Sequence, residues 1–141
     1  MVIAEAHVGE IYKVPLEVPG TPFLTLGIKR NILSPVAVDY DPVEGKIYWT
    51  DVTLKLIARA FPNSSSVEVI AHNNVETPDG IAVDYVGRNL YWTNKGPSKI
   101  QVARLDGSFR KSLVITNIEY PRGIILDIAE RLERNLVVGS D

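Results

Sequence analysis

The fold is decided by two copies of one aromatic tetrapeptide, Tyr48-Trp49-Thr50-Asp51 and Tyr91-Trp92-Thr93-Asn94, which lie 43 residues apart. The prolines that precede and follow them keep the same spacing, at Pro35, Pro78 and Pro121. A period of about 40–45 residues is typical of β-propellers, in which each repeat forms one blade of four antiparallel strands. The repeat therefore predicts an all-β protein built of such blades.

The second copy shows the predicted blade most clearly. Ile81-Ala82-Val83-Asp84 is a short apolar run of the kind that forms a buried strand, and Leu90–Thr93 is rich in aromatic and β-branched residues. Ile100–Leu105 alternates as a third strand, and Asp106-Gly107 is a strong hairpin signal. The chain then returns as a fourth strand over residues 110–115.

The flanking segments give the predicted domain organisation. The first copy follows the same order, with a turn between its first two strands that we expect to be two residues longer. Upstream, Glu10–Val14 and Phe23–Leu26 predict the last two strands of a blade; downstream, Ile128–Arg134 is charged and is compatible with a helical turn. We expect a partial blade and lead-in over 1–34, complete blades over 35–77 and 78–120, and the start of a degenerate, truncated blade over 121–141.

The composition excludes several classes of function. With 45% hydrophobic and 23% charged residues the chain is globular, and its net charge of −2 offers no basic surface for nucleic acid. No apolar run approaches the roughly 20 residues of a transmembrane helix. The chain has no cysteine, which would favour a cytosolic protein over a secreted one. The indication is weak, because a propeller blade is stabilised by sheet packing and does not need disulfides. Residues 1–7 are not a signal peptide, so we expect an extracellular protein of this kind to be a fragment without its natural N terminus.

The combination of a proline-opened strand with Tyr-Trp-Thr-Asp resembles the YWTD propeller of the low-density-lipoprotein-receptor superfamily. Ala37–Asp51 is similar to the Wnt co-receptor branch of its receptor-related proteins, and Pro78–Thr93 and Leu105–Ser108 extend the similarity, which covers residues 8–127. The resemblance implies a six-bladed propeller in the extracellular part of a single-span plasma-membrane receptor, followed by an EGF-like module. Of that propeller, this chain would hold about two whole blades and two partial ones.

The implied function is protein binding without catalysis or a cofactor. The resemblance implies Wnt ligands or secreted antagonists as partners, and an endocytic receptor for lipoproteins or matrix ligands is the alternative within the superfamily. A six-bladed propeller hydrolase of the lactonase type, with calcium in its central channel, is the alternative from another class. A further possibility is a truncated product that has no function by itself.

The recurrent polar and aromatic residues are interpreted as structural. In the family's pattern the carboxylates accept backbone hydrogen bonds and tie blades together, and the aromatic rings pack between blades. The alternatives are a metal or acid/base site for the former and a stacking platform for the latter. Neither His7 nor His72 has a recognisable partner, so no metal site is predicted. The structural set comprises Asp39, Tyr48, Trp49, Thr50, Asp51, Asp84, Tyr91, Trp92, Thr93, Asn94 and Asp127.

One face of the predicted propeller is the candidate ligand-binding face. The loops that enter each first strand and those that join second to third strands share this face, and the resemblance implies that secreted ligands bind there. Ordinary solvated loops are the alternative. Leu33, Ser34, Lys55 and Lys95 depart from the acidic or small polar residues of the Wnt co-receptor branch, so we expect mixed charge. The candidate residues are Val52, Thr53, Lys55, Glu76, Thr77, Asp79, Lys95 and Arg122.

A modification site is predicted on the opposite face. Asn63-Ser64-Ser65 matches the acceptor triplet for N-glycosylation. The triplet lies in the predicted hairpin between the third and fourth strands of the first blade. A glycan on Asn63 would leave the candidate binding face free.

Overall fold

The structure is a computed structural model that describes residues 1–14, 22, 24–113, 116–130 and 133–140. Predicted strand positions 23, 114 and 115, and positions 131–132 of the predicted helical turn, lie outside the described residues. The strands are β1 Val2–Glu5, β2 Glu10–Lys13, β3 Leu24–Thr25, β4 Pro35–Asp41, β5 Lys46–Asp51, β6 Leu56–Ala60, β7 Glu68–Ala71, β8 Pro78–Asp84, β9 Asn89–Asn94, β10 Lys99–Arg104, β11 Lys111–Leu113, β12 Pro121–Glu130 and β13 Glu133–Ser140.

These strands form a succession of antiparallel sheets. The first sheet has the order β1-β2-β3, the second β4-β5-β6-β7, the third β8-β9-β10-β11, and β12 and β13 form a terminal hairpin. The described residues contain no helix. The prediction of an all-β fold with four-stranded antiparallel blades is therefore confirmed, whereas the domain limits drawn from the sequence stay a prediction.

The pairing register corrects the predicted alignment of the two copies. Asp41 pairs with Lys46, and Asp84 pairs with Asn89, so the turn between the first two strands has four residues in both copies. The prediction of a longer turn in the first copy is wrong. The residue equivalent to Asp84 is therefore Asp41, and Asp39 corresponds to Ala82.

Two further segments differ from the sequence-based expectation. The first sheet has a third strand, β1, which pairs with β2 through contacts such as Ile3 with Tyr12. The segment proposed as a helical turn instead continues β12 to Glu130 and begins β13 at Glu133. The described residues of the charged stretch are extended because β12 and β13 pair with each other, an interaction that local propensity does not report.

Apolar side chains fill the space between successive sheets. Adjacent residues of a strand point to opposite faces, so Trp49 packs toward the first sheet, with Ile11 and Leu26, while Tyr48 packs toward the third, with Val83 and Leu90. Both rings are fully buried. The aromatic pair of each repeat thus fills the gaps on both sides of its sheet, and each such ring contributes roughly 1.5–3 kcal/mol.

Candidate functional site

Two sets of loops lie side by side at one end of the strands, and together they form a surface that is called the loop face below. One set leads into the first strands, at residues 29–34, 72–77 and 116–120, and the other joins second to third strands, at residues 52–55 and 95–98. Backbone hydrogen bonds join the sets: Val52 N donates to Ser34 O at 3.2 Å, and Lys95 N donates to Thr77 O at 2.8 Å. The geometry therefore brings the loops of the predicted binding face together.

Asp51 fixes the loops of the first complete blade. Its Oδ2 accepts hydrogen bonds from the N–H groups of Leu33 and Ser34, at 2.7 and 2.8 Å. Its Oδ1 accepts from the N–H groups of Thr53 and Leu54, at 3.0 and 2.9 Å. The carboxylate is fully buried, so these four donors replace its lost hydration.

Asn94 occupies the same position in the next blade but works differently. Its Oδ1 accepts from the N–H groups of Glu76 and Thr77, at 3.3 and 2.9 Å, while its Nδ2 donates to Asn74 O at 3.1 Å. The amide therefore uses its donor as well as its acceptor to hold the loop.

The threonines of the tetrapeptides join neighbouring blades. Thr50 Oγ1 accepts from Ala37 N at 3.1 Å and donates to Asp79 O at 2.9 Å, so one hydroxyl connects strands of two sheets. Thr93 repeats the arrangement with Gly80 N and the carbonyl at position 122. These bonds set the spacing of the loops across the face.

The predicted binding residues share this face but differ in exposure. The side chains of the exposed residues can reach a ligand, and the half-buried residues partly support the loops. The set contains three basic residues and two acidic ones, so the charge of the face is mixed. Exposed are Thr53, Lys55, Glu76 and Arg122, and half-buried are Val52, Thr77, Asp79 and Lys95.

Sequence reasoning missed a set of asparagines that begin the turns into the first strands. Asn31, Asn74 and Asn117 lie 43 residues apart and have positive φ angles of 53°, 55° and 65°. Asparagine tolerates this left-handed conformation better than most residues. Asn31 O also accepts the Trp49 Nε1–H at 3.1 Å. The signal was present in the sequence as a third series with the same period.

The opposite ends of the strands carry an ionic network between blades. Arg88 donates from Nη1 and Nη2 to the two carboxylate oxygens of Asp41, at 2.9 and 2.7 Å, and also binds Glu44. Burial raises the pKa of Asp41, but the Arg88 guanidinium and backbone donors outweigh it and hold that pKa below its ordinary value. Asp41 and Glu44 belong to the second sheet, and Arg88 belongs to the β8–β9 turn of the third. The network therefore stabilises the contact between these two blades.

The remaining predicted structural carboxylates differ from one another. Asp39 Oδ2 accepts from Val83 N of the next sheet at 2.7 Å, and burial raises the pKa of its carboxyl group. Asp84 Oδ1 accepts from Gly87 N at 2.7 Å and closes its own turn. Asp127 is exposed on β12, which runs past it without a turn. The three therefore do not share one role.

The described residues offer no metal centre and no membrane-spanning helix. Within them, no three histidine, cysteine, aspartate or glutamate side chains come together as metal ligands would. No helix long and apolar enough to cross a membrane occurs in the same part of the chain. A groove of about 390 Å³ crosses β4, β8 and β12, and Asp39 is the acidic residue that lines it.

Relatives with known names match parts of the chain. Low-density lipoprotein receptor-related protein 5 of Homo sapiens is 39% identical over 63 residues, which are 45% of this chain and 4% of that protein. Low-density lipoprotein receptor-related protein 4 of Mus musculus is 39% identical over 61 residues, 43% of this chain and 3% of that protein. The matched stretch thus spans only a few percent of the length of these relatives.

Solved structures match over more of the chain. The crystal structure of a nidogen/laminin complex contains a chain that is 31% identical, with a TM-score of 0.77, over 86% of this chain and 47% of that one. A gluconolactonase from Xanthomonas campestris has a TM-score of 0.73 over 99% of this chain and 52% of that one, at 20% identity, a likeness of fold alone.

The family assignment rests on the repeats themselves. The sequence profile of the low-density lipoprotein receptor repeat class B matches residues 45–85 and 88–128, more than half of the chain. These segments contain both aromatic tetrapeptides and the two strands that follow each of them, β6 and β7 in the first and β10 and β11 in the second. The chain belongs to the low-density lipoprotein receptor class B repeat family.

Proposed function

We propose that the chain is part of an extracellular receptor propeller that binds a secreted protein on its loop face and performs no catalysis. The observation that carries the proposal is the repeated anchoring of the loops. Asp51 and Asn94 each hold a loop that enters a first strand, and backbone bonds join it to its neighbour. A rigid base of this kind lowers the entropy lost when a ligand orders the loops.

The finer proposal is a Wnt co-receptor-like member of the family. It is supported by the similarity to receptor-related proteins 5 and 4, which extends over 63 and 61 residues. In this proposal the chain lies outside the cell in a single-span plasma-membrane receptor. Its partners are Wnt ligands or their secreted antagonists, together with the remaining blades and an EGF-like module of the receptor.

The mixed charge of the loop face defines the kind of contact that is expected. Lys55 and Arg122 are exposed, and Glu76 lies exposed on the loop that precedes β8. A ligand that docks here would pair charges of both signs at the rim and place apolar anchors between the loops. A strongly basic ligand would gain little from such a face.

Direct binding to purified proteins tests the proposal. The immobilised chain is exposed to a purified Wnt protein, a secreted Wnt antagonist and a lipoprotein in a biolayer interferometry series. We expect the first or the second to bind, and Lys55→Glu and Arg122→Glu to weaken binding at least severalfold. Lys111→Glu is the matched control, because Lys111 is exposed at the other end of the strands, beside the β10–β11 hairpin.

Each outcome separates the proposal from its alternatives. Binding of the lipoprotein alone would favour an endocytic receptor, and equal loss of binding in Lys111→Glu would argue against the loop face. Calcium-dependent hydrolysis of a lactone by the chain, abolished in Asp39→Asn, would favour the hydrolase. Failure of every ligand would contradict the binding proposal for this chain.

Glycosylation of Asn63 is the second part of the proposal. Asn63 is exposed, has a φ of 58°, and donates its backbone N–H to Leu26 O. Secretion from mammalian cells should yield a chain whose mass falls after treatment with an N-glycosidase, and Asn63→Gln should remove that difference. An unchanged mass in the treated wild type would contradict it.

A further inference from the structure

Arg110 reaches from the third sheet to the loop that leads into that sheet. It lies immediately before β11, and its guanidinium donates from Nη1 to Asn73 O at 2.6 Å and from Nη2 to Asn74 O at 3.3 Å. Both carbonyls belong to the loop of residues 72–77, which carries the candidate binding residue Glu76. One side chain from outside the loop face therefore holds the backbone of a candidate binding loop.

Two buried neighbours fix the guanidinium of Arg110. The group lies over the ring of Trp92, 5.3 Å from the centroid, and its Nη2 donates to Gln101 Oε1 at 2.9 Å. The same Gln101 oxygen accepts the Trp92 Nε1–H at 3.2 Å, and Gln101 is only 7% exposed. A planar cation that is stacked on a ring and hydrogen-bonded at its edge has a fixed orientation. Its other N–H groups are therefore aimed at the loop before any ligand arrives.

The first complete blade holds its loop in another way. There the Trp49 Nε1–H donates directly to Asn31 O, which corresponds to Asn74 O by the repeat period. The position of Arg110 is occupied by Val67, which packs in the apolar cluster of Trp49. In the third sheet the tryptophan N–H is bonded to a glutamine instead. The arginine thus supplies to the loop the donor that the indole supplies one repeat earlier.

Asn94 holds the same loop from the end of β9. Its Oδ1 accepts from the N–H groups of Glu76 and Thr77, and its Nδ2 donates to Asn74 O. Arg110 donates to that same carbonyl, so release of the arginine should loosen the amides that Asn94 holds. The contact lies between the second and third sheets, each of which has four strands in this chain.

We propose that Arg110 is a positioning residue of the loop face, which sets the conformation of residues 73–77 and thereby the place at which Glu76 meets a protein ligand. Its role is indirect, through the loop backbone. A loop that is ordered before binding loses less entropy on binding, so removal of the guanidinium should weaken the affinity for a ligand of this loop. The consequence for binding rests on the proposed receptor function, whereas the effect on the loop does not.

Amide hydrogen exchange, measured by NMR on the 141-residue chain, tests the positioning role without a ligand. In Arg110→Met the amides of Glu76 and Thr77 should exchange about tenfold faster, because a charge-assisted bond to the loop is lost. The amides of Leu33 and Ser34, which are held in a similar way in the preceding blade, should keep their rates. Arg110→Lys should restore part of the protection, because lysine keeps the charge but not the planar fork of donors.

Arg59→Met is the matched control. Arg59 also lies over an aromatic ring, 5.9 Å from the centroid of Tyr48, and donates to a carbonyl of the neighbouring blade, Leu105 O, at 2.8 Å. This contact lies at the opposite end of the strands from the loop face. The substitution should lower the global stability and leave the ratio of exchange rates between the two loops unchanged.

Biolayer interferometry with a purified Wnt protein and a secreted Wnt antagonist tests the consequence for binding. The affinity should fall about fivefold to tenfold in Arg110→Met and stay close to that of wild type in Arg59→Met. Equal acceleration of exchange in both loops of Arg110→Met would show a merely global role and would overturn the proposal. So would unchanged rates at Glu76 and Thr77, or an unchanged affinity where the wild type binds. If the wild type binds neither protein, the receptor function fails, and the exchange rates alone decide the role of Arg110.

Discussion

Replacing Thr50 by valine should weaken the contact between the two complete blades. The change preserves the shape of the side chain and removes a buried hydroxyl that accepts from Ala37 N and donates to Asp79 O. A typical hydrogen bond contributes about 0.5–1.5 kcal/mol net, and a buried group left unsatisfied costs about 1–3 kcal/mol. Since Ala37 and Asp79 are half-buried and can partly rehydrate, we expect a loss of about 2 kcal/mol.

Urea and thermal unfolding measure this loss. The urea midpoint should fall with an unchanged slope, because the surface exposed on unfolding stays the same. The melting temperature should fall by about 4–8 °C for a chain of this size. Thr93→Val should behave similarly, because Thr93 makes the equivalent bonds one repeat later.

An exposed threonine provides the control for this prediction. Thr53 is exposed, and its hydroxyl donates to the Ser34 hydroxyl at 2.9 Å, where water can replace either partner. Thr53→Val should therefore change stability by less than about 0.5 kcal/mol. If Thr50→Val costs no more than Thr53→Val, the hydroxyl bridge does not hold the blades together.

Three further changes test other contacts. Gly107→Ala should cost about 1–3 kcal/mol in urea unfolding, because Gly107 has a φ of 89° and an added Cβ would lie 2.5 Å from Ile70 O. Asn94→Asp should lower the melting temperature and cost about 1 kcal/mol of stability, because it removes the Nδ2 donor to a loop carbonyl. We expect this loss although the change restores the aspartate of the first tetrapeptide. Arg88→Met should lower stability at neutral pH, and in urea titrations its difference from wild type should shrink below about pH 4. The folded-state pKa of Asp41 is depressed, so its contribution is present above the unfolded pKa and is lost as the pH falls through the folded one.

Each of these changes has a matched control or a contrary outcome. Gly123→Ala should be neutral, since no atom lies within 4 Å of its added Cβ. A rise in the melting temperature of Asn94→Asp would show that the added charge outweighs the lost donor. Arg30→Met alters an exposed arginine and should leave the acid dependence unchanged. A constant difference between Arg88→Met and wild type at every pH would contradict the ionic explanation.

Period and residue type together determined the architecture. The recurrence of Tyr-Trp-Thr at 43 residues, with prolines in step, was sufficient to predict four-stranded blades, because a repeated hydrophobic pattern requires a repeated packing environment. The asparagines at positions 31, 74 and 117 carried the same information about the loop turns. They were overlooked because single polar residues in loops are common.

The tertiary structure alone decided the residue-level assignments. The repeated string Ala-Val-Asp aligned Asp39 with Asp84, yet strand pairing makes Asp41 the equivalent residue, since register is set by long-range hydrogen bonds and by which face is buried. The described residues of the charged segment 128–134 lie in strands because β12 and β13 pair with each other. Exposure is likewise nonlocal, as Ala82 and Ile125 show, which occupy the same repeat position. Ala82 is buried because the β12–β13 hairpin packs against it, whereas no described sheet packs against Ile125.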